Sequence, residues 1–317
     1  MSTAMHTFIG VDIAQKHLDI AVEPTGQVWT ESYDAEGLSR AIERIKQTTP
    51  DLVALEPTGN LEKPCMNAFL AADLPVILVN PQRIRNFARS IGQAAKTDRL
   101  DARIIARYAQ AVRPPRRKLP DQDRQQLAEL VVRRDQLSAM HAAETYRLSR
   151  VSPAMQREIQ PHIAYLEACL DDLNRRIDQR IATHPIWAVH RNLLTSVPGV
   201  GPTVSAYLIA CLPELGGCSH RQIAALVGVA PFAQDSGSRR AQRSIRGGRS
   251  RIRRALYMAT LVALRYNQVL PRHYERLLAA GKRKKVALVA CMRKLIVILN
   301  AMMKSLTPWR TQPTPQT

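Results

Sequence analysis

Residues 6 to 13 and 17 to 22 run apolar or alternate apolar and polar, with many β-branched side chains, and 27 to 31 repeats the pattern after the turn Pro24-Thr25-Gly26. This predicts three antiparallel strands. The period then lengthens. A helix near 35 to 47 precedes the apolar run Leu52-Val53-Ala54-Leu55-Glu56, and a helix near 62 to 72 precedes Val76-Ile77-Leu78-Val79. Short continuous apolar runs of this kind suit strands buried on both faces. Further helices are expected near Pro81 and from 97 to 109. Three strands followed by alternating helix and strand give an α/β domain, in the order of an RNase H-like fold. The domain is assigned to residues 1 to 112, and Pro114, Pro115, Arg116, Arg117, Lys118 and Pro120 mark residues 113 to 120 as a linker.

Beyond the linker the pattern is helical throughout. Segments near 121 to 150 and 159 to 183 are separated by Ser152-Pro153 and Pro161. In the second, Ile159, Ile163, Leu166, Leu170, Leu173, Ile177 and Ile181 step by three or four, a seam suited to a coiled coil. Residues 121 to 185 therefore form a coiled-coil region, as an antiparallel pair or a dimerising arm, and a plain bundle with a wider core fits the same spacing. Residues 186 to 306 form a helical domain in which two apolar helices flank Pro198-Gly199-Val200-Gly201-Pro202, the pattern of a helix-hairpin-helix. Ser250 is placed to cap a following helix, another starts at Pro271, and 286 to 303 is an apolar helix interrupted by Arg293, Lys294 and Asn300, hence a core helix instead of a membrane span. Residues 307 to 317 read as a loose tail.

Charge divides the chain in the same way. Residues 1 to 110 hold 12 Lys and Arg against 13 Asp and Glu, and the remainder holds 34 against 13, which leaves the whole chain at +20. Such a basic C-terminal part points to nucleic acid. Aromatic residues are only 5%, so backbone contact is favoured over base stacking. Five cysteines without a C-x-x-C pair indicate neither a disulfide framework nor a zinc site, and no signal peptide or membrane segment is expected, so a cytoplasmic protein follows.

Two constellations carry chemistry. Asp12 ends the first strand, Glu56 ends the fourth, and Asp98 and Asp101 lie three apart on one helix, so that four carboxylates are able to converge on hard divalent cations such as Mg²⁺. A simpler reading has Asp98 and Asp101 complementing a helix dipole and Glu56 facing water. Lys16, Lys96 and Arg99 flank these acids as candidate phosphate contacts. The second constellation is FAQDSGSRRAQRSIRGGRSRIRR at 232 to 254, where Ser236 precedes arginines that include Arg239, Arg240, Arg243, Arg246, Arg249 and Arg253, with no carboxylate from 239 to 254 to neutralise them. Guanidinium groups match phosphate oxygens, and Gly237, Gly247 and Gly248 allow a pliable loop. Ser236 is otherwise a turn former. Gly199 and Gly201 would expose amides to a phosphate at a helix start.

The blocks GVDIAQKHLDIAV (10 to 22), LEPTGN (55 to 60), VNPQRIRNFARSIGQAAKTDRLDARIIARYA (79 to 109), SVPGVGP (196 to 202), ALVGVAPFAQDSG (225 to 237) and GKRKKVALVACMRKL (281 to 295) occur in this order. On them the chain resembles, nearly end to end, bacterial insertion-sequence transposases of the IS one-ten family, especially the IS eleven-eleven subgroup. The resemblance implies a RuvC-like domain with a D-E-D-D set falling on Asp12, Glu56, Asp98 and Asp101, then a coiled coil and a helical transposase domain. It also implies that Ser236 attacks DNA to form a covalent phosphoserine link, that Mg²⁺ is held by the acids in a composite site, that a structured bridge RNA pairs with donor and target DNA, and that the chain assembles as a dimer or tetramer at the nucleoid. Two rivals are a RuvC-like nuclease that cuts DNA with metal-activated water, and a non-catalytic nucleic-acid-binding protein. GVDIAQK alone also resembles a sugar-kinase phosphate loop, but no second glycine-rich loop is placed for ATP.

Overall fold

The computed structural model describes residues 6 to 59, 61 to 93, 98 to 115, 122 to 232 and 243 to 309, with residues 98 to 100 described by their backbone alone. The chain divides into two compact units, Met1–Leu119 and Pro120–Thr317.

The first unit is built on a five-stranded sheet. Strands β1 (Phe8–Ile13), β2 (His17–Glu23) and β3 (Gln27–Ser32) form an antiparallel meander, and β4 (Leu52–Leu55) and β5 (Val76–Leu78) add parallel strands on the other side of β1, giving the order β3-β2-β1-β4-β5. This mixed order with its helical crossovers is consistent with the expected RNase H-like α/β fold. Alternation along β1 sorts its side chains: Ile9, Val11 and Ile13 pack with α1 (Ala35–Gln47) and α2 (Glu62–Ala71), while Phe8 turns to the opposite face. There it meets α3 (Pro81–Ser90) and α4 (Asp98–Val112), which bury Ile84, Ile104, Ile105 and Tyr108. Asp34 caps α1 by accepting from the Gly37 amide at 2.7 Å, and Asn80 caps α3 by accepting from Gln82 at 2.8 Å.

The second unit is helical. Helices α5 (Gln122–Leu148) and α6 (Pro153–Thr183) pair along Leu137, Leu166 and Leu173 at one end and join the main core through Leu127, Val131, Ile177 and Ile181 at the other. Pro161 was expected to separate helices, yet it lies within α6. Packing of Leu166 and Leu173 on α5 beyond the proline, and the Gln156 side chain donating to the Leu148 carbonyl at 3.3 Å before it, hold the helix through the loss of one backbone donor. After α7 (Pro185–Thr195) and α8 (Pro202–Cys211) come α9 (His220–Val227), a two-stranded ladder of β6 (Pro231–Phe232) and β7 (Ser244–Ile245), then α10 (Ser250–Tyr266), α11 (Val269–Ala279) and α12 (Lys284–Ser305). Ser250 proves to be the first residue of α10, and the cap position falls on Arg249, whose side chain makes no capping hydrogen bond. The helix after it is capped differently: Asn267 Oδ1 accepts from Val269 at 2.8 Å and from Leu270 at 3.3 Å.

Helix α12 is long and apolar enough to cross a membrane by length and composition. It is instead an internal helix of this unit, burying Leu288, Cys291, Leu295, Ile296 and Leu299. Asn300 has a structural purpose there, donating to the Cys218 carbonyl at 2.8 Å and accepting from the Gly216 amide at 2.9 Å. All five cysteines are free thiols, and burial pushes Cys65 up to about 12 and Cys291 up to about 11.

Candidate active site

The acids are placed by sheet register. The parallel β1–β4 ladder ends at Val11 opposite Leu55, so the next position on each strand, Asp12 and Glu56, falls at the same edge of the sheet. On the other side, Asp12 stands opposite Asp19 on β2, and Asp19 stands opposite Thr30 on β3. Directly opposed residues share a face. Thr30, Asp19 and Asp12 thus form one transverse row, which Glu56 continues beyond the end of β4.

Helix α4 closes over this row because Gly10 lets it. A Cβ on Gly10 would lie 2.2 Å from the Ala102 carbonyl oxygen and 2.3 Å from the Ala106 nitrogen, so the helix backbone rests directly on β1. Ala21, opposite Gly10, joins Ala102 and Ala106 in the same small-residue contact. Asp12 lies two residues along from Gly10 on this face, and Asp101 immediately precedes Ala102. The structure therefore brings Asp12, Glu56 and Asp101 to one end and one side of the sheet, each partly buried. Asp98 opens α4, and its side chain lies outside the described residues, as do Lys96 and the side chain of Arg99.

Carboxylate oxygens are the donors that hard divalent cations prefer, so the donor set fits such an ion in kind. Among the described residues no three His, Cys, Asp or Glu side chains are close enough to hold a metal. Asp12 Oδ1 accepts from the Ile13 amide at 3.1 Å.

Asp19 was missed by the sequence reading. It is 3% exposed, accepts a hydrogen bond from Thr30 Oγ1 at 2.5 Å, and its Oδ2 lies 3.4 Å from His17 Nε2. Its signal was present as a single acid inside the apolar run of β2, where a carboxylate is costly unless hydrogen bonded.

The serine segment is closed at its base. Phe232 pairs with Ser244 and Pro231 with Ile245, which brings the two ends of the 233 to 242 stretch together. Ser236, Asp235, Gly237, Arg239 and Arg240 lie outside the described residues. Arg246 stacks its guanidinium 5.3 Å from the Phe232 ring centroid, and Arg243 is exposed beside the ladder.

The expectation that no carboxylate neutralises this arginine run needs correction, because the acids come from elsewhere in the fold. Arg249 makes a two-pronged pair with Glu214, at 2.6 and 2.7 Å, and its Nη1 also donates to the Cys211 carbonyl at 3.0 Å. Arg251 lies 3.9 Å from Asp135, whose carboxyl is pushed up by burial against the opposing pull of Arg254 and Arg251. Arg253 donates to the Gly247 carbonyl at 2.6 Å. Arg249 and Arg253 are thus engaged in holding the base of the loop.

Of the glycines expected to make the loop pliable, Gly248 has a packing role instead, Gly247 has no atom within 4 Å of a built Cβ, and Gly237 lies outside the described residues. Gly228 and Gly248 are both in the left-handed region, and a Cβ on Gly248 would lie 2.2 Å from the Gly228 nitrogen.

Gly199 also differs from expectation. Its φ is +103°, and a Cβ would lie 2.6 Å from the Ala263 side chain and 2.7 Å from the Ala259 carbonyl, so this glycine lets the α7–α8 turn press on α10. Gly201, at the start of α8, is exposed with no atom within 4 Å of a built Cβ.

An α/β unit with acids at one sheet edge, joined to a basic helical unit, is compatible with an enzyme that works on DNA strands. Comparison with known proteins gives the family. A DEDD transposase model of IS110 type matches residues 9–151, and the model described as "Transposase IS116/IS110/IS902 family" matches residues 191–275. The chain belongs to the IS110 family of transposases, DNA transposases and recombinases.

Among its relatives is a pilin gene-inverting protein of Moraxella bovis, 26% identical over 313 residues that cover 96% of this chain and 97% of that one. Its counterpart in Moraxella lacunata matches with the same identity and coverage. An insertion element IS110 protein of Streptomyces coelicolor is 30% identical over 136 residues, covering 42% of this chain and 32% of its own length.

Proposed function

We propose that this transposase cuts and rejoins DNA through a covalent link between Ser236 and a DNA phosphate, with Asp12, Glu56, Asp98 and Asp101 as the metal-binding acids. The observation that supports the acid assignment is the contact of α4 with Gly10, because Asp101 immediately precedes Ala102 in that contact and Asp12 and Glu56 follow the last β1–β4 pair. Mg²⁺ held there would supply charge stabilisation for a phosphoryl transfer.

In the cutting step Ser236 Oγ forms a bond to phosphorus while the bond from phosphorus to one deoxyribose oxygen breaks. The serine proton passes to a neighbouring base, and the leaving oxygen takes up a proton to become a free hydroxyl. Attack by another strand's hydroxyl reverses the sequence and releases the serine, so no external energy source is required. Arg239, Arg240, Arg243 and Arg246 hold the phosphate against the serine, with Lys16, Lys96, Arg99 and the Gly201 amide as further backbone contacts.

A free serine hydroxyl is a weak nucleophile and needs a base or metal. Only Asp235 within the serine's own segment offers one, so the acids of the α/β unit, from the same or another subunit of a dimer or tetramer, complete the site. A structured RNA from the element guides the choice of DNA, and the protein acts in the cytoplasm at the nucleoid.

Denaturing mass spectrometry of reactions with element-end DNA and Mg²⁺ tests the reading. Ser236→Ala is expected to bind nucleic acid without forming a covalent adduct, whereas Ser238→Ala and Ser244→Ala still form it. Strand cleavage by Ser236→Ala at the wild-type rate would replace the covalent route with a metal-activated water.

A further inference from the structure

Helix α10 has two apolar sides. Ile252, Leu256, Ala259, Thr260 and Ala263 face the core of the helical unit. The opposite side is open to solvent and carries Tyr257, Met258, Leu261, Val262 and Tyr266, of which Met258 is 58% and Tyr266 70% exposed. A surface helix ordinarily presents polar residues there. Down the middle of this outer side run Arg251, Arg254, Met258, Leu261 and Arg265, stepping by three and four, so that they form one line along the helix. Helix α10 contains no acidic residue, and residues 215 to 317 hold 20 Lys and Arg against only Asp235 and Glu275.

A contiguous exposed apolar strip marks a binding surface, and charge selects its occupant. A second copy docked on this face would bring its own Arg254 and Arg265 against these, and like charges brought together oppose association. A polyanion with apolar features fits instead.

We infer that the outer face of α10 docks on double-stranded DNA, lying along the major groove. The helix spans about 25 Å, and the major groove of B-form DNA is about 12 Å wide and admits a helix. Exposed Met258, Leu261 and Val262 suit thymine methyl groups, and arginines suit guanine edges or phosphates. The deep, narrow major groove of duplex RNA does not admit a helix. Stacking of single-stranded bases is not favoured either, because Tyr257 and Tyr266 lie nine residues apart on opposite borders of the face. Asp135 tempers Arg251 and Arg254 from the side, which leaves Arg265 as the informative position.

The inference rests on the reading that the chain acts on DNA, and the following experiment separates the two. Fluorescence anisotropy is measured with the full chain and a labelled 30-bp duplex of mixed sequence, from about 50 to 200 mM salt. Arg265→Ala is expected to reduce the slope of log affinity against log salt by about one. The double variant Met258→Gln with Leu261→Gln is expected to bind about tenfold more weakly with the slope unchanged. All substitutions are on the exposed face, and circular dichroism melts confirm that the fold is kept.

If the wild type fails to bind duplex, the DNA reading itself falls. If it binds and both variants match it in affinity and slope, the α10 assignment alone is overturned. A change confined to oligomeric mass, read by light scattering, would reassign the face to a contact between copies. A loss confined to single-stranded RNA binding would reassign it to RNA.

Discussion

Asp12 and Asp19 stand directly opposite one another in the β1–β2 ladder, two carboxylates in adjacent strands on one face of the sheet. Like charges so placed destabilise a sheet unless something compensates. Thr30 satisfies one Asp19 oxygen with a neutral hydroxyl, and His17 Nε2 lies 3.4 Å from the other, so the repulsion is opposed by these two contacts. Asp19→Asn keeps an acceptor for Thr30 and discharges the pair. The metal-free protein is expected to gain about 0.5 kcal/mol, and the stabilisation produced by added Mg²⁺ or Mn²⁺ is expected to shrink. Thermal melts with and without the cation read both effects, and a lowered metal-free Tm would show that the contacts of the Asp19 carboxylate with Thr30 and His17 outweigh the repulsion.

Asp12→Asn, Glu56→Gln, Asp98→Asn and Asp101→Asn are each expected to abolish strand cleavage, a loss of at least about a hundredfold, with melting little changed. Labelled element-end DNA resolved on denaturing gels gives the rates. Wild-type cleavage in two of the four would dissolve the shared site.

Gly10→Ala provides a test of position in place of charge. Its methyl would meet helix backbone at 2.2 and 2.3 Å, and neither atom belongs to a flexible side chain that is able to turn aside. Helix α4 must move, at a cost of about 3 kcal/mol, the upper part of the range for overpacking. Cleavage is expected to fall with it, since Asp101 moves away from Asp12. Urea unfolding of the variant, with cleavage assayed well below its midpoint, separates lost position from lost fold.

Arg249 and Arg243 occur in the same arginine run and are expected to behave differently. Arg249→Ala removes both prongs to Glu214 and is expected to cost about 2 kcal/mol of stability. Arg243→Ala leaves stability within about 0.5 kcal/mol and reduces the salt slope of DNA binding by about one. Equal melting of the two variants would mean that the Glu214 pair contributes nothing.

The contrast between these arginines shows where sequence reading stops. Every strand of the α/β unit was visible from periodicity, because alternation and short apolar runs are local properties of β1 to β5. Asp12 and Glu56 were legible for the same reason, as acids at the ends of such runs. Glu214 lies 35 residues from Arg249 along the chain, so the pair that neutralises this arginine is created only by folding. Gly199 read as an exposed amide donor and Gly248 as a pliable-loop glycine, whereas each makes room for a particular neighbouring backbone or side chain. Pro161 misled because a break signal is local and α6 is held by a partner helix.

The β6–β7 ladder has a mechanical consequence. Phe232 and Ser244 are strand partners, and the strand end beyond Ile245 is pinned through Arg253 to the Gly247 carbonyl and through Arg249 to Glu214. A serine bonded to DNA between those two anchors would be a tether under load whenever the DNA rotates or is pulled. Tension would arrive at both strands of the ladder together and run into the guanidinium-carboxylate clamp between Arg249 and Glu214, so the load is shared by two anchor points of the helical unit.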